Sequence, residues 1–571
     1  EVVKRPGASG GAFNIYEARD GKHVFLAIYL VSHWHELTRS WMNHPVLSQP
    51  EWDDAQYRID NIDVIQLLIS EFVSGFDADD FVTEGQARGL ACTPVNDLRS
   101  FVRDPHMRSR GWFQELTHPE IGTYTTVGAP IVFSSTPYKA TKSAPKLDQH
   151  RSEILSSLRP QPSLAKASHV GKRRMSTQPM LKGIRVSDLT RVFVGPIGTQ
   201  FLGFFGAEVI KVESADLPAN RDPSRAIYPD MNRNKLSCTI DLRNDEGRRL
   251  FGLLTDESDL VIDNFSAGVM DRLGVGYAQL SMDRPALIQV SMPGLGSSGP
   301  RSRWLSYGNS LQGYTGLISL WGHPESPMEA HAKGTTPDYV SAAFLALGAM
   351  TAIEHRDQTG LGQSIEVCMV DGQASLLGPA VLDQTVNGRS WNPIGYEEPL
   401  NANLSPFGCY RCANSDSWIV IACENVPHWD GLLKAMRQPP WSNDKRFATH
   451  EGRILHRAEL DANISSWAQQ LTPQQAMRLL QNEGVPSGIV MNSEMLYHDH
   501  HLRARGHLIE IDQPPWGKLT HQGLPGIPGL SDASCDRPTP WPGTDNEYVF
   551  GDVLGMSSAE IKRSTKAGGI H

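Results

Sequence analysis

Cysteine is scarce, long apolar runs are missing and positive charge is in deficit, and each shortage removes a class of protein. The seven cysteines, at 92, 238, 368, 409, 412, 423 and 535, are scattered and odd in number. They do not make a disulfide framework, and they imply reduced thiols in a cytoplasmic setting. Cys409-Tyr-Arg-Cys412 has a metal-like spacing but neither a second pair nor a histidine cluster beside it, so no metal is expected. No apolar run is long enough to cross a bilayer, which argues against a membrane protein. With 53 Lys and Arg against 63 Asp and Glu, the net charge of −10 argues against a nucleic-acid partner. A GxGxxG run is also missing, which removes the dinucleotide fingerprint.

What remains is a loop-rich globular composition, with 40% hydrophobic residues, 51 Gly and 38 Pro. A chain of 571 residues is too long for one core, so two or three units are expected. Phe13 to Tyr29 reads as a hairpin turning at Asp20-Gly21. The same pattern returns about 395 residues later, with Phe13-Asn-Ile-Tyr16 facing Phe407-Gly-Cys-Tyr410 and Gly89 facing Gly484. Asp104-Pro-His-Met-Arg-Ser-Arg-Gly111 likewise faces Asp499-His-His-Leu-Arg-Ala-Arg-Gly506. A constant offset over several landmarks points to two related copies. The basic, Ser- and Pro-rich stretch at 158–179 reads as the linker between them.

After the linker, Ile184 to Glu213 gives a strand, a Gly-Pro turn, a helix and a second strand within about thirty residues, the pattern of a βαβ unit. Asn232-Arg-Asn-Lys235 places two cations on a short loop, and Asp259-Leu-Val-Ile-Asp-Asn-Phe265 is a buried-type strand ending in polar groups. Ligands of open α/β sheets gather at such strand ends. The glycine-rich run at 294–299 follows another strand. Then comes Gly334-Thr-Thr-Pro-Asp338, opening a helix whose Ala342, Ala343, Ala346, Gly348, Ala349 and Ala352 permit close approach by a backbone or a flat ligand. Asp338 reads either as a helix cap or as a carboxylate presented to a ligand.

Asp338, the small-residue helix after it, and Thr359-Gly-Leu-Gly-Gln363 with Ser-Ile-Glu-Val-Cys-Met-Val-Asp371 together resemble the class III CoA-transferases, also called the CaiB/BaiF family. The resemblance implies an α/β fold with a Rossmann-like large domain and a smaller α+β domain, here with a partial second copy upstream. Residues 1–157 would be the downstream half of a first copy, 180–400 the large CoA-binding domain of a second, 401–530 its small domain and 531–571 a tail returning to the large domain. The upstream half of the first copy is missing, which reads as a piece of a longer tandem protein. The copies are expected to pair in an intertwined manner or as a homodimer.

By the same resemblance, Asp338 attacks acyl-CoA, and CoA or acyl-CoA is the co-substrate. Arg191, Phe193, Val194, Lys235, Asn264, Phe265 and Arg272 stand at the CoA-contacting positions. Where racemases of the family carry a histidine before an acid, this chain has Tyr307-Gly308, so the two-base chemistry of a racemase is not expected. The poly-glycine flap of the formyl-CoA transferases has no counterpart at 392–404, so oxalate is not expected as acceptor.

Trp304, Tyr307, Tyr314 and Trp321 cluster in sequence before Asp338 and could face an onium group. With two fused copies and the acid in the downstream one, the chain resembles two-copy members of the family that load dimethylsulfoniopropionate onto CoA and release dimethyl sulfide. A carnitine-like or other short acid is the alternative acceptor. Tyr307, Glu397 and His331 are candidates for a base in such a lyase step. Backbone N–H groups at 334–336 or 294–299 could hold the oxyanions. The contrasting class of function is a CoA-binding scaffold without catalysis.

Overall fold

The structure is a computed structural model that describes residues 13–158, 178–214, 227–328, 331, 334, 336–393, 404–523 and 537–571. Two compact units divide it, one formed by the described residues up to 321 with 326–391 and 509–571, the other by the described residues of 322–325 and 392–508.

The first unit opens with an antiparallel meander, β1 (Phe13–Glu17), β2 (His23–Ala27) and β3 (Ala91–Val95). Its β-branched and aromatic residues alternate across the pleat, and Val24, Leu26 and Cys92 bury one face under the helices at 31–87. A ribbon follows, β4 (Gln114–His118) and β5 (Gly122–Thr126), then a short strand, β6 (Val132–Phe133).

Six strands then build the large sheet: β7 (Arg185–Asp188), β8 (Glu208–Glu213), β9 (Leu236–Thr239), β10 (Leu260–Asp263), β11 (Ile288–Ser291) and β12 (Ser364–Glu366). Their order is β12-β11-β10-β7-β8-β9, all parallel. The sequence order reverses between β7 and β10, where doubly wound sheets bind ligands. These strands are short and largely buried on both faces, as a parallel sheet covered by helices requires, with the buried polar residues Ser187, Lys211, Ser237 and Gln289 interleaved among the apolar ones.

The seventh strand of this sheet comes from the N-terminal region, since β6 pairs antiparallel with β12. The C-terminal residues also join it: Asp545 accepts the Ser237 N–H at 2.9 Å, and Ile570 forms a bridge with Ile240. Residues 509–523 belong with this unit.

The second unit carries another three-stranded antiparallel meander, β13 (Phe407–Arg411), β14 (Trp418–Ala422) and β15 (Ser487–Ile489). Tyr410, Ile419 and Ile421 pack there against Leu432, Leu460, Ile464 and Leu480 of its helices. Among the described residues no helix is long and apolar enough to cross a membrane.

Candidate active site

The loop after β7 and the end of β10 meet at the reversal point and are tied by one side chain. Asn264 accepts the Arg191 N–H at 2.7 Å and donates to the Arg191 carbonyl at 2.7 Å. The next residue, Val192, has φ +68, a left-handed conformation costly for a β-branched side chain. The Arg191 guanidinium stacks 4.9 Å from the Phe265 ring centroid, and burial lowers its pKa. Arg191, Asn264 and Phe265 are therefore brought together, and Arg191 lines a narrow groove with Lys211, Glu213 and Tyr228. Arg272 is exposed, at the end of the Val269–Arg272 turn. Phe193 caps the Val194–Phe204 helix and meets Tyr339 edge-on at 5.7 Å, while Val194 is buried in the core.

Lys235 is placed differently from the expected phosphate contact. Its side chain is fully buried, and its ammonium reaches Asp188 Oδ2 at 3.0 Å, Pro196 O and Thr199 Oγ1 at 2.9 Å and Asn232 Oδ1 at 3.1 Å. Three N–H groups facing four acceptors leave no donor for a ligand. Burial pushes its pKa down to about 8, and Asp188 opposes the shift. Lys235 ties the end of β7 to the following helix.

Asp338 stands in the first turn of the Thr336–Thr359 helix, with Pro337 before it. Its residue exposure is 7%, and burial pushes its pKa up to about 7. Among the described residues no cation pairs with it. The small residues after it admit a neighbouring helix: a Cβ on Gly198 would sit 3.2 Å from the Ala342 carbonyl oxygen. The close approach anticipated there is thus made by the protein itself, by a neighbouring helix at Gly198 and by the Ile131 side chain at Gly348.

Gly308 begins the Gly308–Tyr314 helix and lies directly on the carboxylate. A Cβ there would stand 2.1 Å from Asp338 Oδ2. Gln373, on the Met369–Ala374 helix, donates to the Gly308 carbonyl at 3.2 Å. Gly308→Ala must displace the carboxylate, and a misplacement of about 1 Å costs a reaction about 10²-fold. A loss of that size in kcat, with the unfolding midpoint little changed, is the expected result of steady-state assays and thermal melts.

The expected aromatic pocket does not assemble. Trp304 and Tyr314 both face Arg301, whose guanidinium lies 4.6 and 5.6 Å from their centroids. The Tyr314 hydroxyl donates to Asp104 Oδ1 at 2.8 Å. Tyr307 packs on Tyr29 at 5.2 Å, and Trp321 is 42% exposed. Neighbours in sequence thus diverge in space, and two of the four ring faces are already covered by a protein cation.

The expected bases fare similarly. Both ring nitrogens of His331 contact carbonyls, Ile318 O at 2.9 Å and Ser326 O at 3.3 Å. Burial pushes the Tyr307 hydroxyl up to about 12. Glu397 lies outside the described residues, as does Thr335, whereas the Gly334 N–H donates to Gln312 Oε1 at 3.4 Å.

The glycine run at 294–299 proves to be a seat for the 104–111 segment, not an open oxyanion loop. A Cβ on Gly296 would fall 1.5 Å from Arg110 Nη1, and one on Gly299 2.7 Å from His106 Nδ1. His106 Nε2 contacts the Leu295 carbonyl at 2.7 Å, and Arg110 pairs with Glu366 at 2.9 Å and Asp371 at 2.8 Å. Sequence reasoning found this segment only as a repeat landmark. Its Asp-Pro start and paired arginines were the available signal for a docking role.

A doubly wound parallel sheet with a groove at its strand ends and a buried carboxylate without a cation among the described residues defines an α/β protein of the ligand-binding, open-sheet class. The profile of CoA-transferase family III matches residues 4–151 and 181–546, and the chain belongs to that family. It is 28% identical over 573 residues to a probable CoA-transferase of Mycobacterium tuberculosis, covering 97% of this chain and 69% of the relative. It is 32% identical over 394 residues to the succinyl-CoA–D-citramalate CoA-transferase of Chloroflexus aurantiacus, covering 67% of this chain and 96% of the relative. A crystal structure of a CaiB/BaiF family protein from Brucella suis superposes with TM-score 0.61 at 28% identity, covering 66% of this chain and all of that one. These relationships make the protein a CoA-transferase with a CoA thioester as co-substrate. Among the described residues no cluster of His, Cys, Asp or Glu could hold a metal ion.

Proposed function

We propose that the protein moves CoA from an acyl-CoA to a short carboxylic acid through Asp338. The observation that carries this reading is a carboxylate buried without a cation and pressed against the Gly308 backbone. Such a group is a poor nucleophile in water but a competent one when desolvated and aimed. A carboxylate oxygen of Asp338 attacks the thioester carbonyl and expels CoA thiolate, leaving a mixed anhydride. The thiolate attacks the Asp338 carbonyl carbon and releases the donor acid, so that CoA is held as an aspartyl thioester. The acceptor carboxylate attacks that thioester, and the returning thiolate completes the exchange by attack on the acceptor's carbonyl carbon, which frees Asp338. Arg191, Phe265 and Arg272 are assigned to the nucleotide end of CoA.

Relatives are named for transfer to D-citramalate, to L-malate and to oxalate, which supports a short acid as acceptor. The sulfonium acid, with release of dimethyl sulfide, loses support because Arg301 covers two of the aromatic faces meant for it. The matching meanders β1–β3 and β13–β15 favour two copies of one module. The reaction is assigned to the cytoplasm, consistent with free cysteines.

The test is mass spectrometry after incubation with succinyl-CoA and hydroxylamine. A hydroxamate at Asp338 is the expected product. An unmodified Asp338 with acyl-CoA bound would identify a scaffold, and dimethyl sulfide in the headspace when dimethylsulfoniopropionate is added as acceptor would restore the lyase reading.

A further inference from the structure

Three buried polar atoms around Asp338 have no hydrogen-bond partner among the described residues: Gln312 Nε2, Ser341 Oγ and Gln373 Oε1. Each belongs to a fully buried residue, and they stand on the three helices that pack together at the catalytic acid. Buried polar atoms are nearly always satisfied, so three unsatisfied ones in one neighbourhood call for an occupant.

Their placement is connected. Gln373 reaches the carbonyl of Gly308, the residue lying on the Asp338 carboxylate, and Gln312 is one turn further along that helix. Ser341 is one turn beyond Asp338, and a Cβ on Gly372, beside Gln373, would be 3.1 Å from its hydroxyl. The amide orientations follow from their bonded ends. Gln312 uses its oxygen to accept from Gly334, so its free end is the donor NH2. Gln373 gives its NH2 to Gly308, so its free end is the acceptor oxygen.

We infer that these three atoms form a subsite that reads a hydroxyl group on the acid receiving CoA. The set offers one fixed donor, one fixed acceptor and one hydroxyl able to act as either, with no charge among them. A substrate hydroxyl accepts from Gln312 and Ser341 while donating its own hydrogen to Gln373. A second carboxylate would set a negative oxygen against Gln373 Oε1, an onium group would oppose the Gln312 N–H, and a methyl would leave all three atoms unpaired. The inference rests on Asp338 as the CoA-carrying group and names hydroxy acids as the substrate class.

The test uses full-length protein charged with succinyl-CoA and offered acceptor pairs differing by one hydroxyl, malate against succinate and lactate against propionate. The hydroxy member is expected to win by at least about 10²-fold in kcat/KM, because a site built to bond a hydroxyl strongly rejects its deoxy analogue. Gln373→Met, which keeps the length but removes the acceptor together with the donor to Gly308, should slow both members of a pair and bring their ratio to about unity. Equal rates for both members with wild-type protein would overturn the inference while leaving the aspartyl chemistry intact, as would a ratio unchanged in Gln373→Met. Absence of any Asp338 adduct from succinyl-CoA would instead remove the reading on which it depends.

Discussion

Asp338→Asn is expected to lose CoA transfer by on the order of 10⁴-fold or more, because the amide cannot attack a thioester and no described neighbour can substitute for it. The same change should leave the fold as stable or more stable. Burial holds the Asp338 carboxyl at about 7, far above the ordinary value near 3.8. A group whose pKa is raised on folding favours the folded state below its unfolded pKa, and that advantage is lost as pH rises through the folded value. From pH 4 to above 7, wild type should therefore lose stability relative to Asp338→Asn, by on the order of 4 kcal/mol in all. Denaturation across that pH range reads the difference. In the wild type, kcat/KM for the donor half-reaction should climb about tenfold per pH unit and level off above about 7, since only the carboxylate is nucleophilic. Full activity in Asp338→Asn, or an Asn variant less stable than wild type at pH 8, would contradict this account.

Arg110→Met should cost the first unit about 3–5 kcal/mol at pH 8, the penalty for leaving buried charge without its partner. The Arg110 side chain is 4% exposed and is held cationic by Glu366 and Asp371, the latter wholly buried. Asp371 sits up at about 6 because burial outweighs the attraction of Arg110. Without the guanidinium its protonation becomes easier, so the penalty should shrink below pH 6. Adding Glu366→Gln and Asp371→Asn should restore most of the lost stability. Transfer should fall along with stability, because Asp371 shares a helix with Gln373, which donates to the carbonyl of Gly308, the residue lying against Asp338. Chemical denaturation of the single and triple variants decides the matter. A loss below about 1 kcal/mol in Arg110→Met would show that the pair carries little weight.

Asp338 stood out in the sequence because an acid after proline, followed by a helix of small residues, is unusual enough to attract attention, and the family resemblance pointed to the same residue; the structure adds that it is buried against Gly308. The doubly wound sheet was legible from the short apolar strands and the helix between the first two. Lys235 was misjudged since a lysine on a loop near a nucleotide looks free in sequence, and only the buried Asp188 opposite it shows otherwise. The aromatic group failed for a similar reason. Trp304 and Tyr314 are ten residues apart, yet both are committed to Arg301, which also pairs with Asp104, about two hundred residues upstream. Gln312, Ser341 and Gln373 carried no signal, being ordinary residues until three helices enclose them.

By itself, then, the sequence determined the class of sheet, the repeated landmarks and the acid singled out as the candidate nucleophile, because local periodicity and distinctive residue types encode these directly. The tertiary structure alone decided that an N-terminal strand and the 104–111 segment complete the large sheet and occupy its glycine loop. It also decided which polar atoms are left without partners beside Asp338. Contacts between residues some two hundred positions apart depend on how the chain closes on itself, and no local pattern of side chains records that closure.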